Sequence, residues 1–282
     1  MPSPQRMLAL LRQALMLVRA TAGRRGHTIN LASCSDVLVT GDLHGHVGHF
    51  QALLKTADLA NHPHRHFVMQ EAIHGKYRYP GGGDKSHQLV DLFAALKCQY
   101  PNRVHYIPGN HELAQWTDRP VMKADENLNR HFEEGVRAAY GADAGPEVYQ
   151  TYLDLFKALP LVLRAANGVI VCHSLPPARA MQLFDPAQLE KDQYEPADLE
   201  PGGTVHSLLW GRDTSPANAD DFLRKMGANL LVSGHIASDT GFSMPNPRQV
   251  IVDCSESPAG YILFPASQPL THEELVACVR TF

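Results

Sequence analysis

Cysteine is scarce in this 282-residue chain, and its five copies, Cys34, Cys98, Cys172, Cys254 and Cys278, are odd in number, widely spaced and form no C-x-x-C unit. That pattern excludes a disulfide framework and a thiolate zinc site, and it fits reduced thiols in a cytoplasmic compartment. Basic charge is not in excess either. Lys+Arg 25 stand against Asp+Glu 29 with no basic run, so nucleic acid is not an expected partner. No segment is long and apolar enough to span a bilayer. Residues 1–30 open with MPSPQRMLALLRQALMLVRA, where Arg12 and Arg19 interrupt any leader-like apolar stretch. Leu8, Leu11, Leu15 and Val18 recur there at helical spacing, which predicts an amphipathic helix packed on a globular body rather than a membrane anchor. Internal repeats and low-complexity tracts are also missing.

What the chain has is one local event repeated five times: a short apolar run ending in a metal-capable residue. The runs are SDVLVTGD at Asp42, HFVMQE at Glu71, RVHYIPGNH at Asn110, GVIVCH at His173 and NLLVSGH at His235. Strands that deliver carboxylate, amide and imidazole groups to a common edge describe a two-metal enzyme. In Gly41-Asp42-Leu43-His44-Gly45, an Asp and a His two residues apart can splay onto one ion, with glycines permitting the turn. Strands are expected at 36–40, 66–71, 103–107, 168–172, 229–233, 248–253 and 259–264. Helices are expected at about 47–59, 86–99 and 218–227, with more between 123 and 158. Alternation of this kind predicts an α/β core over 1–282 as a single domain. Residues 61–85 and 185–204 read as insertions. The first carries His62, His64 and His66 as a solvated loop, the second is rich in proline and glycine, and loops of the latter kind shape access to a site.

Six segments occur in order: GDLHG, SHQLVDLFAALKCQYPNRVHYIPGNHE, VCHSLPP, LLWGRD, SGH and IVDCSESPAGYILF. Together, from about Val37 to about Phe264, they resemble the calcineurin-like metallophosphoesterase superfamily, in its phosphoprotein-phosphatase-like (serine/threonine phosphatase) branch. The resemblance implies a four-layer α/β/β/α sandwich of two mixed sheets flanked by helices. It implies hydrolysis of a phosphate monoester, on a phosphoprotein or a small ester, by a hydroxide bridging two divalent ions. Asp42, His44 and His235 would hold one ion, Asn110 and His173 the other, and Glu71 would join Asp42 between them. Without thiolate, this mixture suits manganese, iron or zinc. His111, next to a metal-binding Asn, is the expected general acid. Glu112 is either a helix N-terminal charge or an orienting group.

Where the family carries G-D-x-x-D-R-G, this chain has Gln70-Glu71-Ala72-Ile73-His74-Gly75-Lys76. Glu71 therefore takes the bridging place of an Asp, with Asp84 as the alternative ligand. His74 or Asp84 is left to partner His111. The missing phosphate-gripping arginine has Lys76, Arg78, Lys85 or Arg212 as substitutes, of which Arg212 is favoured because a planar guanidinium clamps phosphate bidentately. His46 and His49 are expected on a rim and a solvated helix face, and His105 and His206 in structural roles. Two other functions stay open: a dinucleoside polyphosphate (diadenosine tetraphosphate) hydrolase, and a non-catalytic phosphate-binding module.

Overall fold

The computed structural model describes residues 3–282. Helix α1 (Pro4–Arg19) starts on Ser3, whose side chain accepts from the Arg6 amide at 3.4 Å, with proline in the first turn where its missing N–H costs nothing. It buries Met7, Leu8, Leu11, Ala14 and Val18. Strand β1 (Thr28–Asn30) follows, then β2 (Asp36–Asp42), α2 (Val47–Ala57), β3 (Arg65–Gln70), α3 (His87–Gln99) and β4 (Val104–Ile107). Next come α4 (Asn110–Trp116), a hairpin of Met122–Lys123 with Glu126–Asn127, and the long α5 (Leu128–Ala158), broken at Gly141 by a φ of 82°. The remainder is β5 (Val162–Arg164), β6 (Val169–Cys172), α6 (Thr204–Trp210), α7 (Pro216–Met226), β7 (Leu230–Ser233), β8 (Phe242–Asn246), β9 (Gln249–Val252), β10 (Gly260–Pro265) and β11 (Val279–Thr281), with shorter turns between.

Two mixed sheets form. One has the order β11-β10-β2-β3-β4; the other runs from the two-residue strand Arg24–Arg25 through β1-β5-β6-β7-β9-β8. Strands β2, β3 and β4 are parallel, with Asp42 opposite Gln70, and β6, β7 and β9 are parallel in the second sheet. Their central residues are buried on both faces, as continuous Val/Leu/Ile runs require. The sheets meet through Val37, Val39, Val68, Val171, Val232 and Val252. A second cluster packs α1, α3 and α5 over the first sheet, and a third packs α6 and α7 over the other. This is the expected four-layer sandwich.

Several local expectations change. Within 61–85, residues 65–70 form the expected strand, which lies between β2 and β4. His66 is buried there, 3.0 Å from His105, instead of solvated. His49 is buried against the Cys254 carbonyl (2.8 Å) rather than lying on a solvated face, and His46 caps α2 through the His49 amide. Strands β1, β5, β8 and β11 went unread because they are three to five residues long with little alternation. In β8, Pro245 sits on the sheet edge, the position where a missing donor is tolerated.

Candidate metal centre

The parallel order of β2, β3 and β4 brings three strand ends side by side, and those of β6 and β7 face them from the other sheet. Asp42 ends β2, Glu71 follows β3, Asn110 and His111 open α4 after β4, His173 follows β6 and His235 follows β7. Left-handed backbone at His44 (φ 38°), Glu71 (φ 32°), His74 (φ 62°) and His235 (φ 68°) turns the chain sharply at these ends. Each such non-glycine residue costs on the order of 1–2 kcal/mol, a strain typical of functional loops. Glycine is required alongside: a Cβ on Gly109 would meet Glu71 Oε1 at 2.0 Å, and one on Gly234 would meet Asp42 Oδ1 at 2.2 Å.

The side chains converge in two groups, Asp42-His44-Glu71 and Glu71-His173-His235, each with ligand atoms within 4.8 Å of one another. Asn110 Oδ1 lies 3.3 Å from His173 Nε2, which adds it to the second group. His235 thus lies with His173 rather than with Asp42 and His44 as expected, and Glu71 alone is common to both. Asp42 Oδ2 accepts from the His235 amide at 2.7 Å, and Glu71 Oε1 accepts from the His111 amide at 2.9 Å. His44 donates through Nδ1 to the Ile73 carbonyl (2.9 Å), which leaves its Nε2 lone pair 3.4 Å from Glu71 Oε2.

Three buried atoms here have no hydrogen-bond partner: Asp42 Oδ1, His173 Nδ1 and His235 Nε2. Burial, then Glu112, pushes Glu71 up to about 8; burial, then Glu71, pushes Asp42 well above the carboxylate range. Burial lowers His235 to about 3 and holds His173 well below an ordinary imidazole. Close carboxylates without a buried cation, among neutral imidazoles, form a donor set that fits divalent metal.

Glu112 fills both expected roles, as the acid in the first turn of α4 that caps the helix and as an orienting group. Its Oε1 accepts from the Ala72 and Ile73 amides (3.0 and 3.1 Å) and its Oε2 from the Gly109 amide (2.8 Å), pinning the Glu71 loop to α4. Asp84 does not join the cluster. It is fully buried, with one oxygen held by Ser86 N and the other by Gly75 N and Ser86 Oγ, so it staples the loop instead of serving as ligand or partner of His111. His74 takes the second role, its Nδ1 lying 3.0 Å from His111 Nδ1. Burial lowers His74 to about 3 and holds His111 well below its ordinary value.

A cavity of about 670 Å³ opens over the cluster, lined by His44, His74, His111, Arg78, Lys123 and Glu256 among others. Lys76 pairs with Glu256 at 2.5 Å, Arg78 approaches Glu126 at 3.5 Å, and Lys85 lies 5.1 Å over the Tyr79 ring. Arg212 has no carboxylate partner among the described residues. It donates to the His235 carbonyl at 3.0 Å, while Asp213 is taken by Ser215 and the Ala178 amide. Sequence reasoning missed Gln115, whose Oε1 lies 2.7 Å from His74 Nε2. Its one signal is its place four residues after His111, one turn along the same helix face.

Residues 35–239 match the model of the calcineurin-like phosphoesterase family. A probable serine/threonine-protein phosphatase of Encephalitozoon cuniculi is 24% identical over 260 residues, covering 84% of this chain and 52% of that protein. Serine/threonine-protein phosphatase 7 of Arabidopsis thaliana is 26% identical over 261 residues, covering 76% and 58%. The chain thus spans little more than half the length of these curated relatives. In fold, it superposes on a Saccharomyces cerevisiae serine/threonine phosphatase with similarity to human phosphatase PP5, at a TM-score of 0.72 and 18% identity over 100% of this chain and 90% of that one. A cold-active protein-tyrosine phosphatase from a psychrophilic Shewanella has a TM-score of 0.57 at 13% identity, covering 87% of this chain and 78% of its own.

Proposed function

The chain belongs to the calcineurin-like phosphoesterase family, and on that premise we propose that it hydrolyses phosphate monoesters as a dinuclear-metal phosphatase of the serine/threonine type. The observation that carries this reading is Glu71, the one carboxylate shared by both three-ligand groups, with His111 on the cavity wall beside them. In this reading Asp42, His44 and Glu71 would hold one ion, and Glu71, Asn110, His173 and His235 would hold the other. Divalent ions held there would lower the pKa of water and neutralise phosphoryl oxygens.

The chain's own residues do the rest. Arg212, anchored on the His235 carbonyl, grips the phosphoryl group in place of the arginine missing after His74. His111 gives a proton to the departing ester oxygen. Glu112 and Asp84 hold the Glu71–Ser86 segment so that ligand and cavity wall keep their places. Manganese, iron and zinc all suit the donors. The five free thiols fit a cytoplasmic compartment, and no described helix is long and apolar enough to cross a membrane. Because α1 packs on the central core and β10 and β11 complete the first sheet, we read 1–282 as one domain.

The test is turnover of an aryl phosphate, a phosphopeptide and diadenosine tetraphosphate by purified protein, with added manganese and with excess chelator. Metal-dependent release of phosphate from the first two is expected. His111→Ala should lower kcat by about 10²–10⁴, and Glu71→Ala should strip bound metal. Preference for the dinucleotide would move the protein to the polyphosphate hydrolases, and phosphate binding without turnover would make it a binding module.

A further inference from the structure

Two acceptors face the Gln115 amide on α4. One of its side-chain atoms lies 3.2 Å from the Asn129 carbonyl and 2.7 Å from the Tyr149 hydroxyl. A carbonyl only accepts, so that atom is the NH₂, and the amide oxygen is turned toward His74 Nε2 at 2.7 Å. An amide oxygen also only accepts. His74 must therefore carry its proton on Nε2, and as a neutral ring it presents a bare lone pair on Nδ1 to His111 Nδ1 at 3.0 Å. His111 must supply the hydrogen of that contact from its own Nδ1. Its Nε2 is then the only nitrogen left to hold the proton that leaves. His74 is 7% exposed and Gln115 3%, so the contact between them is closed to water.

We propose that Gln115 is a positioning residue that sets, through His74, the tautomer of His111, and so dedicates His111 Nε2 to protonating the leaving group. This deepens the phosphomonoesterase reading and rests on it. The step balances simply. Water supplies the OH that phosphorus gains and passes its other proton to His111 Nε2, the nitrogen that the Nδ1–H tautomer leaves free to accept it. As the bond from phosphorus to the leaving oxygen breaks, its electron pair stays on that oxygen and takes that proton, which returns His111 to the neutral Nδ1–H ring. The geometry also explains how the chain works without a carboxylate beside His111: two neutral side chains, ordered by a backbone carbonyl, supply the acceptor.

Two measurements test the proposal. Long-range ¹H–¹⁵N correlation on the zinc-loaded wild-type protein should show His74 as the Nε2–H tautomer and His111 as the Nδ1–H tautomer. The opposite tautomer at either ring overturns the proposal, and this readout stands even if no phosphatase activity is found. In kinetics, Gln115→Leu should lower kcat about tenfold more on phenyl phosphate, whose leaving phenoxide needs the proton, than on 4-nitrophenyl phosphate, whose leaving group does not, with KM unchanged. Equal loss on both substrates would mean a merely structural role and overturn it. A wild-type protein that hydrolyses neither ester defeats the phosphatase reading and leaves the tautomers to be judged by the spectra. If Gln115→Leu does not fold, His74→Gln is compared on the same two esters, and the same inequality is expected.

Discussion

At the residue scale, Glu71 and Glu112 divide one task, the first reaching the cluster and the second fixing where it starts from. Glu112→Ala removes the acceptor from three backbone amides at once, and a buried unsatisfied donor costs about 1–3 kcal/mol. We expect urea denaturation to show a loss of at least about 3 kcal/mol, together with loss of metal from the folded fraction. Glu112→Gln, which keeps an oxygen acceptor, should be milder. Gly109→Ala should act on metal content more than on stability, since its Cβ would strike the Glu71 carboxylate, which isothermal titration with zinc would register as weakened binding. The convergence of Asp42, Glu71, Asn110, His173 and His235 was legible because each ends an apolar run. Their sorting was not: sequence placed His235 with His44, whereas it comes from the second sheet beside His173 and contacts it at 3.1 Å. Asp84 stood as the alternative ligand because spacing cannot reveal that Gly75 and Ser86 already occupy its oxygens.

At the element scale, α1 and α4 matter for different reasons. Leucine spacing alone foretold α1, and Leu11 is fully buried within it among side chains shared with α3 and α5. Leu11→Ala should cost about 2–5 kcal/mol in chemical denaturation while leaving kcat/KM of the folded protein unchanged. Helix α4 is only seven residues long, yet it carries a proposed ligand, the proposed acid, the loop-pinning Glu112 and Gln115. So short a helix has too few turns for a periodic signal to stand out. Its function was legible only through the Gly109-Asn110-His111-Glu112 motif. The same brevity hid β1 and β5, while β2, β3, β4, β6 and β7 stood out because burial on both faces makes them unbroken apolar runs.

For the whole molecule, stability depends on pH through groups far from the cluster. Burial lowers His27 and His66 to about 4, against about 6.5 in an unfolded chain. Between those values the unfolded state binds protons that the folded state refuses, so both contributions are complete above pH 6.5 and are lost as pH falls toward 4. A urea midpoint well below its neutral value at pH 5, partly restored in His66→Gln, is the expected result. Lys97 acts in another window: burial lowers it to about 7, so its cost is full below pH 7 and fades as pH rises toward the unfolded lysine value near 10.4. The two sheets also divide the proposed ligands, with Asp42, His44, Glu71 and Asn110 on one side and His173 and His235 on the other. A metal pair bound there would be a cross-link through the middle of the sandwich. Amide hydrogen exchange should find the loaded protein opening as one cooperative unit. After chelation, it should find the β6–β7 half exchanging on its own schedule, as separate foldons do once the tie between them is cut.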